Sequence, residues 1–134
     1  MSPRPPPVWM VRLNVALLRR GLRLGTQHLL TVPGRKSGAP RSTPVSIATH
    51  NGRRYIVAAF PDADWVKNVR ATGTATLARG RSEEHVRFSE LATTERGPVL
   101  RAFLEQVRGG VRFFGRQTPD EIVATAARYP VFVS

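Results

Sequence analysis

Apolar residues recur at helical spacing near the start of the chain and alternate with polar ones further along. Between Val8 and Leu24 they fall three or four positions apart, while arginines gather on another face. This pattern predicts a basic amphipathic helix over residues 8–24. The helix either packs on the rest of the domain or lies on an anionic membrane surface. Before it, the Pro-rich residues 1–7 predict a flexible arm, because proline suits neither a helix interior nor a sheet.

Six short segments beyond residue 26 have the composition and alternation of β-strands. They are residues 28–32, 41–49, 53–60, 74–78, 84–88 and 131–133. Asn51-Gly52 predicts a type I′ hairpin turn between the second and third segments. The third segment is apolar on both faces, so we expect it to be a central strand. A second hairpin is predicted around Gly80.

Three helices are predicted after the first hairpin, over residues 65–72, 95–107 and 118–128. Asp62 or Asp64 can cap the first of them, and Gly73 ends it. Thr118 and Glu121 have the spacing of a capping box at the start of the third. Residues between the last two helices form a basic loop that contains two phenylalanines.

The order of these elements predicts an α+β fold. Hairpins dominate, so the sheet should be mainly antiparallel, with about six strands and with helices packed outside a small barrel. A length of 134 residues suits one domain. We therefore interpret residues 1–134 as a single domain with the barrel in residues 26–134.

Composition limits the chemistry. The net charge of +12 favours an anionic partner: nucleic acid, anionic lipid or a polyanionic small molecule. The absence of cysteine excludes disulfides and thiolate metal ligands, and the three histidines are scattered, so no metal site is predicted. No apolar run reaches the ~20 residues that span a bilayer. We expect a cytoplasmic protein, with residues 8–24 as a peripheral contact to the inner membrane face.

One segment, GRKSGAPRSTP over Gly34–Pro44, concentrates the features of an anion site. We call it the cationic segment. Arg35 and Arg41 offer planar forks of donors, Lys36 adds a point charge, and hydroxyl side chains stand between them. Glycines allow backbone N–H groups to turn toward a ligand. The alternative interpretation is an ordinary solvated turn, since the same residue types favour turns.

Motifs of self-sufficient catalysis are missing from the sequence. There is no HExxH pattern, no P-loop and no nucleophile elbow. Because the chain has few carboxylates, we do not expect a pair of Asp or Glu side chains to act as catalytic acid and base. If the protein is an enzyme, a bound cofactor should carry the chemistry.

Several motifs, taken in order, resemble the deazaflavin-dependent nitroreductase family. They are Leu30–Gly38 (LTVPGRKSG), Pro40–Pro44 (PRSTP), Ala58-Ala59, Trp65 with Asn68 three residues later, and Tyr129–Phe132 (YPVF). The resemblance implies a split β-barrel that binds coenzyme F420 (8-hydroxy-5-deazaflavin). It also implies an oxidoreductase that transfers a hydride to a quinone, an activated alkene or a nitro compound.

The resemblance further implies roles for individual residues. Those expected to bind the cofactor's phosphate and acidic tail are Arg35, Lys36, Ser37 and Arg41. Those expected to border the cofactor and its ring are Ser42, Thr43, Pro44, Ala58 and Ala59, with Trp65 and Asn68 closing the site. Without the resemblance, Trp65 would be interpreted as a core aromatic and Asn68 as an amide on the helix surface.

The chain departs from the family pattern where the substrate would lie. Ser46 occupies the position of a substrate-facing tyrosine, and Phe60 that of a serine. The tyrosines of the family's C-terminal region are poorly matched, and the nearest candidates are Phe113, Phe114 and Tyr129. These residues are our predicted substrate pocket, with Ser46 as a proton donor. Cofactor binding therefore carries over better than the choice of acceptor.

Two other classes of function stay open at this point. The charge and the β-rich pattern would also suit a nucleic-acid-binding barrel without catalysis. A related split barrel could instead bind FMN, haem or a lipid, because one anion site does not distinguish the phosphate of a deazaflavin from that of FMN.

Overall fold

The computed structural model describes Val15 and residues 27–134. The predicted arm over residues 1–7 and, apart from Val15, the predicted helix over residues 8–24 lie outside the described residues. In the described part of the chain, no helix is long and apolar enough to cross a membrane. These residues divide into two compact units. The first unit contains residues 27–46 and Asp64–Phe88, and the second contains Ile47–Ala63 and Ser89–Ser134.

Seven strands and three α-helices occur between residues 27 and 134. The strands are β1 (Gln27–Pro33), β2 (Pro40–His50), β3 (Arg53–Val57), β4 (Thr74–Arg79), β5 (Ser82–Arg87), β6 (Ser89–Glu90) and β7 (Val131–Val133). The helices are α1 (Asp64–Thr72), α2 (Arg96–Gln106) and α3 (Pro119–Ala124), with 3-10 turns at Thr93–Glu95, Gly110–Phe114 and Ala126–Arg128.

The first unit is a four-stranded antiparallel sheet with one helix. Its strand order is β5-β4-β1-β2, and β1 pairs with β2 from Gln27 opposite Ser46 to Pro33 opposite Pro40. Helix α1 buries Val66 and Val69 on one face. It ends at Gly73, whose φ of +70° suits glycine, as predicted.

The second unit continues from β2 into β3, β7 and β6, again all antiparallel. Strand β3 lies between β2 and β7, so the prediction of a central strand is confirmed. The turn before β3 has positive φ at both Asn51 (50°) and Gly52 (76°), as a type I′ hairpin requires.

The core of the second unit joins this sheet to α2 and the C-terminal segments. It includes Leu100 and Phe103 of α2, Ile122 of α3 and Val131 of β7, all fully or nearly fully buried. The capping box at the start of α3 is present: Thr118 Oγ1 accepts from the Glu121 N–H (3.2 Å), and Glu121 Oε1 accepts from the Thr118 N–H (3.4 Å). This reciprocal pairing fixes where α3 begins.

All six predicted strands are present, and the differences lie at their ends. The strand predicted for residues 53–60 leaves the ladder after Val57, and the two-residue β6 was not predicted. The segment predicted as a basic loop contains the 3-10 turn Gly110–Phe114, because Phe114 is drawn into the core (1% exposed). The fold is α+β with an antiparallel sheet ordered β5-β4-β1-β2-β3-β7-β6, which fits the split β-barrel class. That residues 1–134 form a single domain stays a prediction.

Candidate functional site

Residues 34–39 of the cationic segment form a turn that closes on itself. The Gly34 N–H donates to the Ala39 carbonyl (2.8 Å), and the Gly38 N–H donates to the Gly34 carbonyl (2.9 Å). Ser37 Oγ accepts from the Ala39 N–H (3.2 Å). Gly38 has a φ of +75°, a conformation that glycine adopts at little cost. We call residues 34–39 the closed turn.

Arg35 ties the closed turn to helix α1. Its backbone N–H and its Nη1 both donate to Asn68 Oδ1, at 3.1 and 2.9 Å. Its Nη2 also donates to Asp64 Oδ1 (3.3 Å). Asn68 is 3% exposed, so the helix presents a buried amide oxygen to the turn. It is not the amide on the helix surface that the sequence without the resemblance would suggest.

Lys36 on the closed turn and Arg41 on the following strand β2 are exposed cations. Among residues 27–134, neither has a hydrogen-bond or ion-pair partner. Nearby, Thr31 Oγ1 and Ser42 Oγ are hydrogen-bonded across β1 and β2 (2.8 Å). Two unpaired cations beside neutral hydroxyls are a donor set that fits a multiply anionic group.

The first unit contains ten of the residues predicted for the site. They are Arg35, Lys36, Ser37, Arg41, Ser42, Thr43, Pro44, Ser46, Trp65 and Asn68. Trp65 is half-buried on α1, one turn before Asn68. Ser46 is half-buried on β2, opposite Gln27 of β1.

The remaining predicted residues belong to the second unit, where a cavity of about 740 Å³ opens. Four of them line it, namely Ala59, Phe60, Phe114 and Tyr129. Ala58 is buried beside them, and its N–H donates to the Pro130 carbonyl (2.8 Å). Phe113 does not line this cavity; it is 37% exposed.

Tyr129 and Phe114 form a fixed aromatic wall of this cavity. Their rings meet edge to face, with centroids 4.8 Å apart and planes at 88°. Gln117 Nε2 donates both to the Phe114 carbonyl (2.8 Å) and to the Tyr129 hydroxyl (3.0 Å). The hydroxyl is therefore held in place by a neutral amide.

Sequence reasoning missed several polar residues of the cavity. Asp62, Arg116, Gln117 and Arg128 line it beside the aromatic side chains. Arg116 and Gln117 follow closely on Phe114, and Arg128 precedes Tyr129. Their closeness in sequence to the predicted pocket residues could have identified them as pocket residues. In the described part of the chain, no group of three or more His, Asp or Glu side chains is placed to bind a metal ion.

A family model decides the assignment of the chain. The model described as F420H(2)-dependent quinone reductase matches residues 7–122. The chain belongs to the F420H(2)-dependent quinone reductase family. Coenzyme F420 is accordingly its cofactor, and the protein is an F420-dependent reductase. The donor set of the cationic segment fits that assignment, because the cofactor carries an anionic tail.

Solved structures share the fold of this quinone reductase family member. A structure described as a domain-swapped dimer is 22% identical, with a TM-score of 0.60, and the match covers 93% of this chain and 96% of the other. An F420-H2 dependent reductase (FDR-A) is 23% identical, with a TM-score of 0.58 and coverage of 81% and 92%. A heme binding protein from Mycobacterium smegmatis is 11% identical, with a TM-score of 0.56 and coverage of 89% and 48%.

These structural likenesses support the fold alone. A search of curated proteins found no match. The family assignment therefore depends on the family model.

Proposed function

We propose that this protein uses the reduced deazaflavin to reduce a quinone, with activated alkenes and nitro compounds as the other acceptors of the same chemistry. The observation that carries the proposal is a pair of exposed cations without partners among residues 27–134: Lys36 on the closed turn and Arg41 on the following strand β2. A cation left unpaired at a rigid turn is available to a ligand, whereas a cation in an ion pair must first be released.

The cationic segment is the proposed binding site for the cofactor's tail. That tail combines a phosphate with several carboxylates, so it presents multiple oxyanions. Lys36 and Arg41 neutralise them, and the Ser37, Ser42 and Thr43 hydroxyls add neutral donors. Arg35 contributes its remaining N–H groups from a position already fixed by α1.

The second unit provides the proposed pocket for the acceptor. Phe60 and the fixed Tyr129 ring supply flat apolar surfaces, which suit a planar quinone and exclude water. Arg116 and Arg128 lie at the same cavity and can stabilise negative charge that develops on a carbonyl or nitro oxygen. When bound, the reduced deazaflavin supplies the hydride.

Reduction of a quinone to a hydroquinone takes up one hydride and one proton. We propose solvent or the Ser46 hydroxyl as the proton source, with solvent restoring the hydroxyl. The main work of the protein's own residues is to orient the reactants and to keep water from the hydride.

The alternatives receive less support from the described residues. An FMN phosphate could satisfy the same cations, so FMN is the competing cofactor to test. A single-strand nucleic-acid surface needs exposed aromatic side chains for base stacking. Among the described residues, Phe113 is the one large hydrophobic side chain that is exposed.

The decisive experiment is a fluorescence titration of the purified protein with coenzyme F420 and, separately, with FMN. We expect salt-sensitive binding of the deazaflavin and an affinity at least about tenfold lower in a Lys36→Ala/Arg41→Ala variant, since charge-assisted hydrogen bonds are lost. Arg101→Ala is the matched control, because it removes an exposed arginine that pairs with Asp120 in the second unit.

An acceptor screen with the reduced cofactor then follows, with quinones tested beside enones and nitro compounds. Equal binding by the double variant and the wild type would overturn the assigned role of the cationic segment. Preference for FMN would overturn the deazaflavin as the ligand of that segment. Cofactor binding without turnover of any quinone would overturn the proposed acceptor.

A further inference from the structure

We infer that Asn68 is a positioning residue that sets the grip on the cofactor's tail through Arg35, without itself needing to touch the ligand. The inference rests on the proposed function of the cationic segment. It differs from the role that the family resemblance implies, in which Asn68 closes the site over the cofactor.

One side-chain oxygen of Asn68 accepts two hydrogen bonds from Arg35. Oδ1 accepts from the backbone N–H of Arg35 at 3.1 Å and from its guanidinium at 2.9 Å. The residue is 3% exposed. A single buried acceptor therefore fixes both the main chain and the side chain of Arg35. An exposed partner would hold Arg35 less firmly, because an exposed side chain loses rotamer freedom on pairing and water screens the contact.

Asn68 is itself held rigidly. It lies on α1 between Val66 and Val69, whose side chains are buried in the first unit. The helix is continued to Thr72, whose Oγ1 donates to the Asn68 carbonyl (3.1 Å). Because the helix cannot easily rotate or slide, the position of Oδ1 is set before any ligand arrives.

Asp64 cannot replace this anchor. Its carboxylate contacts Arg35 Nη2 at 3.3 Å, but its side chain is 84% exposed, so water screens the pair. Loss of the Asn68 oxygen would leave the turn closed internally by its own hydrogen bonds but free to shift relative to the helix.

A division of labour follows within the cationic segment. Lys36 and Arg41 are unpaired among residues 27–134 and bind the oxyanions, while Arg35 donates one of its guanidinium hydrogen bonds to Asn68. Removing Asn68 should therefore weaken recognition of the tail and leave recognition of the deazaflavin ring unchanged. A general loss of stability would reduce both.

The test compares two ligands on four proteins: coenzyme F420, and the ribityl deazaflavin that lacks the phosphate and the acidic tail. The proteins are the wild type, Asn68→Ala, Asn68→Asp and Gln106→Ala. Gln106 is a matched amide control in the second unit, since its side chain accepts from the Thr49 N–H (2.8 Å) and donates to the Thr49 carbonyl (2.6 Å). Amide hydrogen exchange at Arg35 is measured by NMR on the same samples.

For Asn68→Ala we expect about a tenfold loss of affinity for coenzyme F420, no change for the ribityl deazaflavin, and faster exchange at the Arg35 amide. Asn68→Asp keeps an acceptor oxygen, so the amide should stay protected while the added negative charge lowers affinity for the tail. Gln106→Ala should match the wild type in both ligands and in exchange at Arg35.

The outcomes separate two failures. If the wild type binds both ligands equally, or neither, the tail-binding function of the cationic segment fails. If the wild type prefers the full cofactor and Asn68→Ala keeps that preference, the positioning role fails while the proposed function stands. Equal loss of both ligands in Asn68→Ala also overturns the inference. If Asn68→Ala does not fold, the protected Arg35 amide expected of Asn68→Asp decides in its place.

Discussion

Two arginines do opposite work in the two units. In the first unit, Arg35 lies on an exposed turn, with 29% of its side chain open to solvent. In the second unit, Arg96 is 5% exposed at the start of α2. Both are held by several hydrogen bonds. The difference between them lies in what each arginine can still do for a ligand.

All three guanidinium nitrogens of Arg96 donate hydrogen bonds within the second unit. Its Nε donates to the Leu91 carbonyl (3.0 Å), and its Nη1 donates to the carbonyls of Ala127 (3.1 Å) and Tyr129 (3.2 Å). Its Nη2 pairs with Glu90 Oε2 (3.0 Å). A buried guanidinium that joins the end of β6 to the segment before β7 stabilises the unit, whereas Arg35 is oriented and stays accessible. Burial and partner type, rather than residue type, separate a structural arginine from a binding one.

The largest effect on stability should come from removing the buried arginine, Arg96. Arg96→Ala removes the buried guanidinium that donates to three carbonyl oxygens and pairs with Glu90, so we expect a loss of about 3–5 kcal/mol in the free energy of unfolding. Urea denaturation followed by circular dichroism measures it. Arg101→Ala, which removes an exposed pair, should cost no more than about 1 kcal/mol. Equal losses in the two variants would contradict the contrast.

A moderate effect should come from straining the closed turn itself. Gly38 has a φ of +75° and open space where a side chain would project, so Gly38→Ala adds backbone strain without a clash. We expect a loss of about 1 kcal/mol in stability. Gly38→Asn should cost less, because asparagine tolerates this conformation. If alanine were as stable as asparagine here, the turn would not need its left-handed residue.

The smallest effect on stability should come from removing the exposed partner of Arg35. Asp64→Ala removes the exposed partner of Arg35 and leaves the buried one. We expect a change in stability of roughly 0–1 kcal/mol, reduced further by salt, and no change in hydrogen exchange at the Arg35 amide. Thermal denaturation at low and high salt checks the first expectation. Faster exchange in this variant would mean that the exposed carboxylate, rather than Asn68, anchors the turn.

Features set by neighbours in sequence were predictable. The Asn51-Gly52 turn, the Gly73 helix end and the capping box at Thr118 depend on residues within a few positions, so the chain itself specifies them. The cations of the cationic segment were identified for the same reason. Their spacing and the glycines around them are local properties, and the resemblance to a family added the cofactor.

Features set by distant contacts were not predictable. Strand β6 exists because Ser89 and Glu90 pair with Val133 and Phe132 at the other end of the unit. Arg96 resembles any surface arginine in sequence, and only the fold brings its four acceptors together. Asn68 was predicted to close the site together with Trp65, and the fold adds that its oxygen accepts hydrogen bonds from a residue 33 positions away. Periodicity cannot reveal such a partner.

The place of β7 in the sheet has a consequence for how fast the protein reaches its native state. This strand lies between β3 and β6, and Phe132 pairs with Ile56 from the opposite half of the chain. Joining them closes a long loop, whose entropy must be lost before the contacts repay it. The hairpin at Asn51-Gly52 can form within microseconds, but the sheet of the second unit is complete only after this distant pairing. Docking of β7 is therefore expected to limit the refolding rate, and mutations in β7 should slow folding more than mutations in the β2–β3 turn.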